Sequence, residues 1–574
     1  MMKRYIKKKP YIPYIAPAMT IMTVLTVFPT IFLYLISITD YQLGWDLGRI
    51  RLVWFDNYIR LFSGRDPDFW NAVYISLKFM TITTGIEMVL GFMIGKLLCD
   101  SEFKLKPVVF AILIIPIVMT PSIAGNIWKL MLNSEYGIVN YFLNLAGISN
   151  VTWLDANLSF TSVVLADVWQ WTPFVSLISY AGLCSLPVDQ YEAARIDGGN
   201  AFQLFRHITL PSLRPLIFLT LIFRTIDSLK IYDMPFVLTQ GGPGNSTEFL
   251  SLHIYRLANA QNGLIGRAAA NAIILMVIST MVSKILIHYQ RKGDYAVKMS
   301  RKNKRAFLGV GKGIIFFIVC LFFIAPYLWM VLISLKPRVD IFDPGKFIFQ
   351  PTMENYASII KNAHILDYFA NSAVVSVVST FVSLVIGSFA AYGFARFNWK
   401  KRESTAFLVL SQRMLPAMAI VIPYFLMAMA ARLLDTRVIL IICYLLFNIP
   451  FTILMMRGFF EDIPMEIEEA GKIDGCNGLQ VFKELILPLS LPGLTATAIF
   501  CLINSWNEFV FANFLTSVNA KTVPTSVMLF FSVSGTKWGE MAATGVLSSL
   551  PVILFGIIVQ KYMIRGLTFG AVKG

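Results

Sequence analysis

Two stretches of this chain hold residue types that do chemistry. In the first, Asp167-Val-Trp-Gln-Trp-Thr-Pro-Phe174 sets a carboxylate, an amide and three aromatics within an otherwise apolar run. Ionisable groups are costly in hydrocarbon, so inside a membrane they mark a solute pathway or an internal ion pair. The mixture suits a polyhydroxylated ring, whose apolar face stacks on aromatics while its hydroxyls need hydrogen-bond partners. In the second, the polar run Glu192-Ala-Ala-Arg-Ile-Asp-Gly198 recurs as Glu469-Ala-Gly-Lys-Ile-Asp-Gly475.

Other chemistries lack their residues. Gly309-Val-Gly-Lys-Gly313, the string nearest to a phosphate-cradling loop, has neither the spacing of G-x-x-x-x-G-K-[ST] nor the hydroxyl that would hold Mg²⁺. The chain is therefore not expected to hydrolyse ATP by itself. His207, His253, His288 and His364 are scattered singly, and the six cysteines (Cys99, Cys184, Cys320, Cys443, Cys476, Cys501) form no C-x-x-C pair. No metal site is expected, and the cysteines read as small buried hydrophobes.

The elements that position these residues belong to a membrane protein. Of 574 residues, 56% are hydrophobic and 14% charged, too apolar for a water-soluble chain of this size. Segments able to cross about 30 Å of hydrocarbon as helices fall near 11–37, 72–98, 107–131, 160–184, 212–236 and 268–288, then near 313–335, 369–395, 404–430, 436–457, 490–514 and 545–566. The first is too long for a signal-peptide core and is expected to remain as a span. Pro116, Pro121, Gly387 and Pro423 are expected to be tolerated inside these spans, where neighbouring groups satisfy the freed backbone. The net charge of +16 sits in short Lys/Arg clusters beside apolar runs, which argues for helix flanks and against nucleic acid. The N-terminal tail, the Lys104/Lys106 loop, the Arg396/Lys400/Lys401/Arg402 loop and the 291–312 linker are basic, whereas 132–159 has no Lys or Arg. With alternating spans this predicts both termini and the linker on the cytoplasmic side.

The duplicated run belongs to a longer repeat at a constant offset of 277 residues. Pro187 meets Pro464, Asn200 meets Asn477, Gln203 meets Gln480, Leu210-Pro211 meets Leu487-Pro488 and Leu238-Thr239 meets Leu515-Thr516. Both copies fall on the basic side with six spans per half, so the expected fold is all-α, twelve helices in two parallel six-helix repeats. The halves divide near residue 298, into 1–298 and 299–574; Met299-Ser-Arg-Lys-Asn-Lys-Arg305 reads like the start of a second polypeptide. Each copy, 187–211 and 464–488, is expected to be a helix, a glycine turn and a second helix. A helix pair lying on lipid would not require the same Glu, Asp, Gly and Pro twice.

The repeated run resembles the E-A-A-x-x-x-G coupling loop of permease subunits of type I ABC importers. Asp233-Met-Pro-Phe-Val-Leu-Thr-Gln-Gly-Gly-Pro243 is similar to the stretch after the fifth helix of the larger maltose-type permease subunit. Ser334-Leu-Lys-Pro337, Trp506-Asn-Glu-Phe509 and the terminal Arg565-Gly-Leu-Thr-Phe-Gly-Ala-Val-Lys-Gly574 are similar to the smaller one. The resemblance departs from the usual pattern in joining both subunits in one chain and in Gly471, where the motif has a second Ala. It implies a cell-membrane permease for a carbohydrate or related polyol or sugar phosphate, delivered by an external solute-binding protein. It also implies two cytoplasmic ATPase subunits that use ATP and Mg²⁺, with no cofactor on this chain, docking at Glu192, Ala193, Asp197, Gly198, Glu469, Ala470, Asp474 and Gly475; Ala571 to Gly574 are candidates for contact with the same pair. For the pathway it implies Asp167, Gln170, Trp171, Phe174, Asp227, Ser228 and Lys230, with Asn448 and Asn504 as weaker counterparts. The aromatics equally suit helix packing and Asp227 with Lys230 an internal ion pair, while Trp506, Asn507 and Glu508 suit bracing between helices. An ion-gradient-driven carrier with two six-helix halves, relaying protons through Glu87, Asp167 and Glu508, is the alternative, but it has no partner to dock on a duplicated loop.

Overall fold

The computed structural model describes residues 10–186, 188–260, 263–291, 306–307, 310–413, 415–532 and 535–566. The basic N-terminal stretch, Pro187, most of the linker and the terminal Ala571 to Gly574 lie outside the described residues. Apart from two pairs of two-residue strands, the regular structure is helical.

In the first half the principal helices are α1 (Ile12–Ser37), α2 (Pro67–Cys99), α3 (Lys106–Val118), α4 (Pro121–Met131), α5 (Ser159–Cys184), α6 (Val188–Ile196), α7 (Leu210–Leu229), α8 (Asp233–Leu238) and α9 (Ile265–Arg291). In the second they are α10 (Val310–Leu335), α11 (Ile365–Arg396), α12 (Arg402–Gln412), α13 (Ala417–Ala430), α14 (Arg437–Glu461), α15 (Met465–Ile473), α16 (Leu491–Trp506), α17 (Val510–Leu515) and α18 (Trp538–Gly566). Among the described residues, eight helices are individually long and apolar enough to cross a membrane, and up to twelve spans result if each of four bent pairs counts as one.

Two expected spans are not straight. The third breaks after Val118, and α4 leaves α3 at 98°; the ninth breaks after Gln412, and α13 leaves α12 at 81°. Pro121 and Pro416 explain both corrections. Pro121 opens α4 at its first helical position after an extended Thr120, and Pro416 caps α13; a proline ring disfavours the helical region for the residue before it. The prolines expected to be absorbed within a span therefore include one, Pro121, that ends it. Pro116 and Pro423 do lie inside helices.

Each half is built on one intimate helix pair. A Cβ on Gly91 of α2 would meet Val175 of α5 at 2.5 Å, and one on Gly387 of α11 would meet Thr452 of α14 at 2.6 Å. Small residues let backbones approach where lipid supplies no hydrophobic drive between helices. The first helix of each half reaches across to the other. α1 packs on α11 at its start and on α9 and α13 at its end, and α10 packs on α3 and α18. Tyr11 stacks on Trp399 at 4.6 Å, and Phe316 meets Phe103 at 4.8 Å.

The helix ends reached by α1 and α10 carry a repeated clamp. Asn57 Nδ2 donates to the Ser37 and Thr39 carbonyls, both at 2.8 Å, as Asn355 Nδ2 donates to those of Ser334 and Lys336 at 2.9 and 3.0 Å. Tyr58 and Tyr356 meet the hydroxyls of Ser37 and Ser334 at 2.7 and 2.8 Å. The Ser-Leu-Lys-Pro stretch thus holds a helix end, with Lys336 buried against its own loop at the Asp343 carbonyl.

Candidate functional site: paired loops beneath a polar core

The two repeated loops fold by the same backbone bonds. α6 ends with Asp197 N–H donating to Ala193 O (3.0 Å), Gly198 to Arg195 O (3.1 Å) and Gly199 to Ala194 O (2.9 Å). α15 ends with Asp474 donating to Ala470 O (2.9 Å), Gly475 to Lys472 O (3.1 Å) and Cys476 to Gly471 O (3.0 Å). Gly198 and Gly475 sit at φ +85 and +88, the left-handed turn that closes a helix and that a side chain disfavours. Asn200 and Asn477 then start the next helix with capping boxes to Gln203 and Gln480.

What this geometry presents outward is also duplicated. Glu192, Ala193, Asp197 and Gly198 are exposed, as are Glu469, Ala470, Asp474 and Gly475. Beside them stand apolar residues at matching positions: Ile196 and Ile473 are 86% and 85% exposed, and Phe202 and Leu479 are 68% and 56% exposed. The loops differ in how they are rooted. Glu468 of α15 is buried against Arg396 and accepts from the Tyr392 hydroxyl at 2.8 Å, whereas its counterpart Tyr191 of α6 meets Thr209 at 2.7 Å.

Deeper in the first half, the structure gathers residues from three helices around Arg224 of α7. Its guanidinium donates to both oxygens of Glu87 on α2 (2.6 and 2.8 Å), to Asp167 on α5 (3.0 Å) and to the Ser228 hydroxyl (3.2 Å), and lies 4.8 Å over the Trp171 ring. Arg224, Glu87, Asp167 and Ser228 are all at most 2% exposed. Asp167 and Ser228, expected along a pathway, are here parts of an internal ion cluster, because a lone guanidinium in this interior must be matched by carboxylates. Arg224 is the residue that sequence reasoning missed; its partners lie 137 and 57 residues away, beyond any local pattern.

Gln170 is likewise turned inward. Its Nε2 donates to the Met119 carbonyl at 2.8 Å, one of the groups freed by the α3–α4 break, while Asn507 from the second half donates to Val118 O at 2.8 Å and accepts from Thr120 at 2.7 Å. The two amides replace the bonds a continuous helix would have made. Asn448 is fully buried and donates to Ser505 at 2.7 Å. Phe174 stands edge-on to Trp171 with centroids 6.2 Å apart.

Asp227, Lys230 and Asn504 face a more open space. Asp227 pairs with Lys230 at 3.0 Å, and their side chains are 45% and 24% exposed. Arg413, at the α12–α13 break in the other half, acts electrostatically on Asp227, and its guanidinium lies over Phe223 and Phe451 at 5.5 and 4.9 Å. Asn504 is half-buried and stands at the position equivalent to Asp227 at the same offset of 277. Arg413 thus reaches from the second half to the first.

Outside the spans, His253 joins α2 to the loop after α8. Its Nε2 lies 3.2 Å from Asp66 and its Nδ1 3.4 Å from Glu248, which also pairs with Arg256. Burial works against the imidazolium, but the flanking carboxylates outweigh it and raise the His253 pKa to about 9. Near α14, Asp435 accepts the backbone N–H groups of Ser517, Val518, Asn519 and Ala520. Although partial burial works the other way, these donors pull its carboxyl down to about 2. Among the described residues, no three His, Cys, Asp or Glu side chains are grouped to hold a metal ion.

Residues 14–292 and 383–569 match the family described as binding-protein-dependent transport system inner membrane component. The chain is 39% identical over 224 residues to the trehalose/maltose transport system permease protein MalF of Thermococcus litoralis, covering 39% of this chain and 75% of that protein. The trehalose/maltose transport system permease protein MalG of the same organism is 32% identical over 275 residues, covering 47% of this chain and 98% of that protein. The sulfoquinovosyl glycerol transport system permease protein SmoG of Agrobacterium fabrum is 32% identical over 282 residues, covering 49% and 90%. A chain from the crystal structure of a bacterial alginate ABC transporter is 21% identical, covers 50% of this chain and 96% of that one, and has a TM-score of 0.43.

Proposed function

The chain belongs to the family of binding-protein-dependent transport system inner membrane components, and from that premise we propose that it supplies both permease halves of an ABC importer for a carbohydrate or a related polyol or sugar phosphate. Membership makes it a multi-pass permease component. The two halves, 1–298 and 299–574, meet where Arg413 of the second lies over Phe223 of the first and acts on Asp227. An external solute-binding protein delivers the solute, and the cell-membrane orientation puts both termini and both loops in the cytoplasm.

One observation supports this reading above the rest: two loops with the same left-handed glycine, capping box and exposed apolar residues, although Ile196 and Ile473 gain nothing from exposure in a lone chain. Each loop would seat in one of two ATPase subunits, which bind ATP and Mg²⁺ themselves. Their closure draws the loops together and rocks the halves, so that the pathway opens outward. Carbohydrate is favoured because the named relatives are permease proteins of trehalose/maltose and sulfoquinovosyl glycerol transport systems.

The test is uptake of radiolabelled di- and trisaccharides by proteoliposomes holding the chain, its ATPase and its solute-binding protein. Uptake should require internal ATP and persist when the proton gradient is collapsed. Uptake that stops with the gradient and ignores ATP would establish the carrier alternative instead.

A further inference from the structure

Arg224, Arg396 and Arg457 each donate to a carboxylate. Arg413, half-buried at the α12–α13 break, makes no hydrogen bond or ion pair among the described residues. The rings of Phe223 and Phe451 lie 5.5 and 4.9 Å from its guanidinium, and a ring face attracts a cation without accepting N–H groups as a carboxylate does. The carboxylate that acts on it, Asp227, is engaged by Lys230 at 3.0 Å. Nor does Arg413 brace the break. In the first half the freed carbonyls of Val118 and Met119 are taken by Asn507 and Gln170. Met119-Thr-Pro121 and Met414-Leu-Pro416 align the two breaks and put Arg413 where the first half has the buried Val118. The second half thus carries a charge at a position that folds with an aliphatic side chain. Asp227 is 45% exposed although Thr225, Ile226, Ser228 and Leu229 around it are buried. An exposed carboxylate between buried neighbours within a span faces a polar space rather than lipid, and Arg413 acts on it from the other half.

We propose that Arg413 is a solute-binding residue that receives an anionic group of the transported carbohydrate, so that the solute is an acidic sugar bearing a phosphate, a sulfonate or a carboxylate. This deepens the reading of the chain as a carbohydrate permease and rests on it. A guanidinium suits such a group because its donors match two oxygens side by side. Lys230 adds a second positive charge from the first half, while Asp227 and the half-buried Asn504 are suited to sugar hydroxyls. The anion takes the guanidinium from no protein partner, so none of the fold's own bonds breaks when it binds. Arg224 is unsuited to the same task, because Glu87 and Asp167 already occupy it.

The experiment titrates the complete transporter, chain and ATPase subunits together without ATP, with glucose, glucose 6-phosphate and glucuronate by calorimetry. The two acidic sugars should bind about tenfold or more tighter than glucose, and inorganic phosphate should compete with them. Arg413→Gln should bring the acidic sugars down to the affinity of glucose and end the competition by phosphate, and Arg413→Lys should recover part of the preference. Because no bond of the fold is lost, the melting temperature of Arg413→Gln in detergent should not fall. Equal affinities for glucose and the acidic sugars, a preference that survives Arg413→Gln, no binding of any of these probes, or a sharp fall in melting temperature overturns the proposal. The importer reading is decided apart from this, by whether uptake requires ATP. ATP-driven uptake with no preference for acidic sugars in the titration removes the role of Arg413 alone, whereas uptake that ignores ATP removes the importer.

Discussion

At the scale of single residues, Arg224 is a buried charge held by two carboxylates. Removing it alone leaves both buried without a cation. Arg224→Met should cost about 3–5 kcal/mol of stability, read as a lower melting temperature in detergent. Adding Glu87→Gln and Asp167→Asn should recover most of the loss, because the whole charged set is then removed together, as at Tyr444 and Cys501, which lie 277 residues after Asp167 and Arg224. An unchanged melting temperature in Arg224→Met would show that the cluster is not a structural lock. His253 gives a prediction with a sign. Its pKa is raised from 6.5 to about 9, so its contribution is complete below 6.5 and is lost as pH rises through about 9. The melting-temperature gap between wild type and His253→Gln should therefore shrink across that window, and a gap that widened toward alkaline pH would contradict the pairing.

At the scale of elements, the loop turn depends on backbone conformation more than on side-chain space. A Cβ at Gly198 or Gly475 would meet nothing within 4 Å, so a substitution there costs the left-handed backbone alone, about 1–2 kcal/mol. Asn tolerates that conformation and a β-branched residue does not, so Gly198→Asn should keep transport coupled where Gly198→Val should not. Coupling measured as solute moved per ATP hydrolysed distinguishes them; equal coupling in both would remove the argument from backbone. The helices were legible from apolar length and the loops from their fixed offset. The breaks after Val118 and Gln412 were not, because a proline that starts a helix and one absorbed within it look alike in an apolar run. A signal was present: Met119-Thr-Pro121 and Met414-Leu-Pro416 repeat the same pattern 295 residues apart. The braces at the first break come from Gln170 and Asn507, the latter 389 residues from the carbonyl it satisfies, and no sequence window contains that contact.

At the scale of the whole molecule, the two halves are alike at their repeated loops and unlike within. The loops share turn, caps and exposed apolar residues, while a buried ion cluster in one half is answered by neutral side chains in the other. The same force acting on both loops would thus meet two differently braced halves, linked by the first helix of each, which packs on the other. The central claim is that these loops receive the work of ATP hydrolysis. It is tested most directly by changing Asp197 and Gly198 together with Asp474 and Gly475, then measuring ATPase copurification, ATP hydrolysis and solute uptake in parallel. The altered chain should still insert in the membrane, with hydrolysis separated from uptake; copurification with its ATPase and normal transport would contradict the claim.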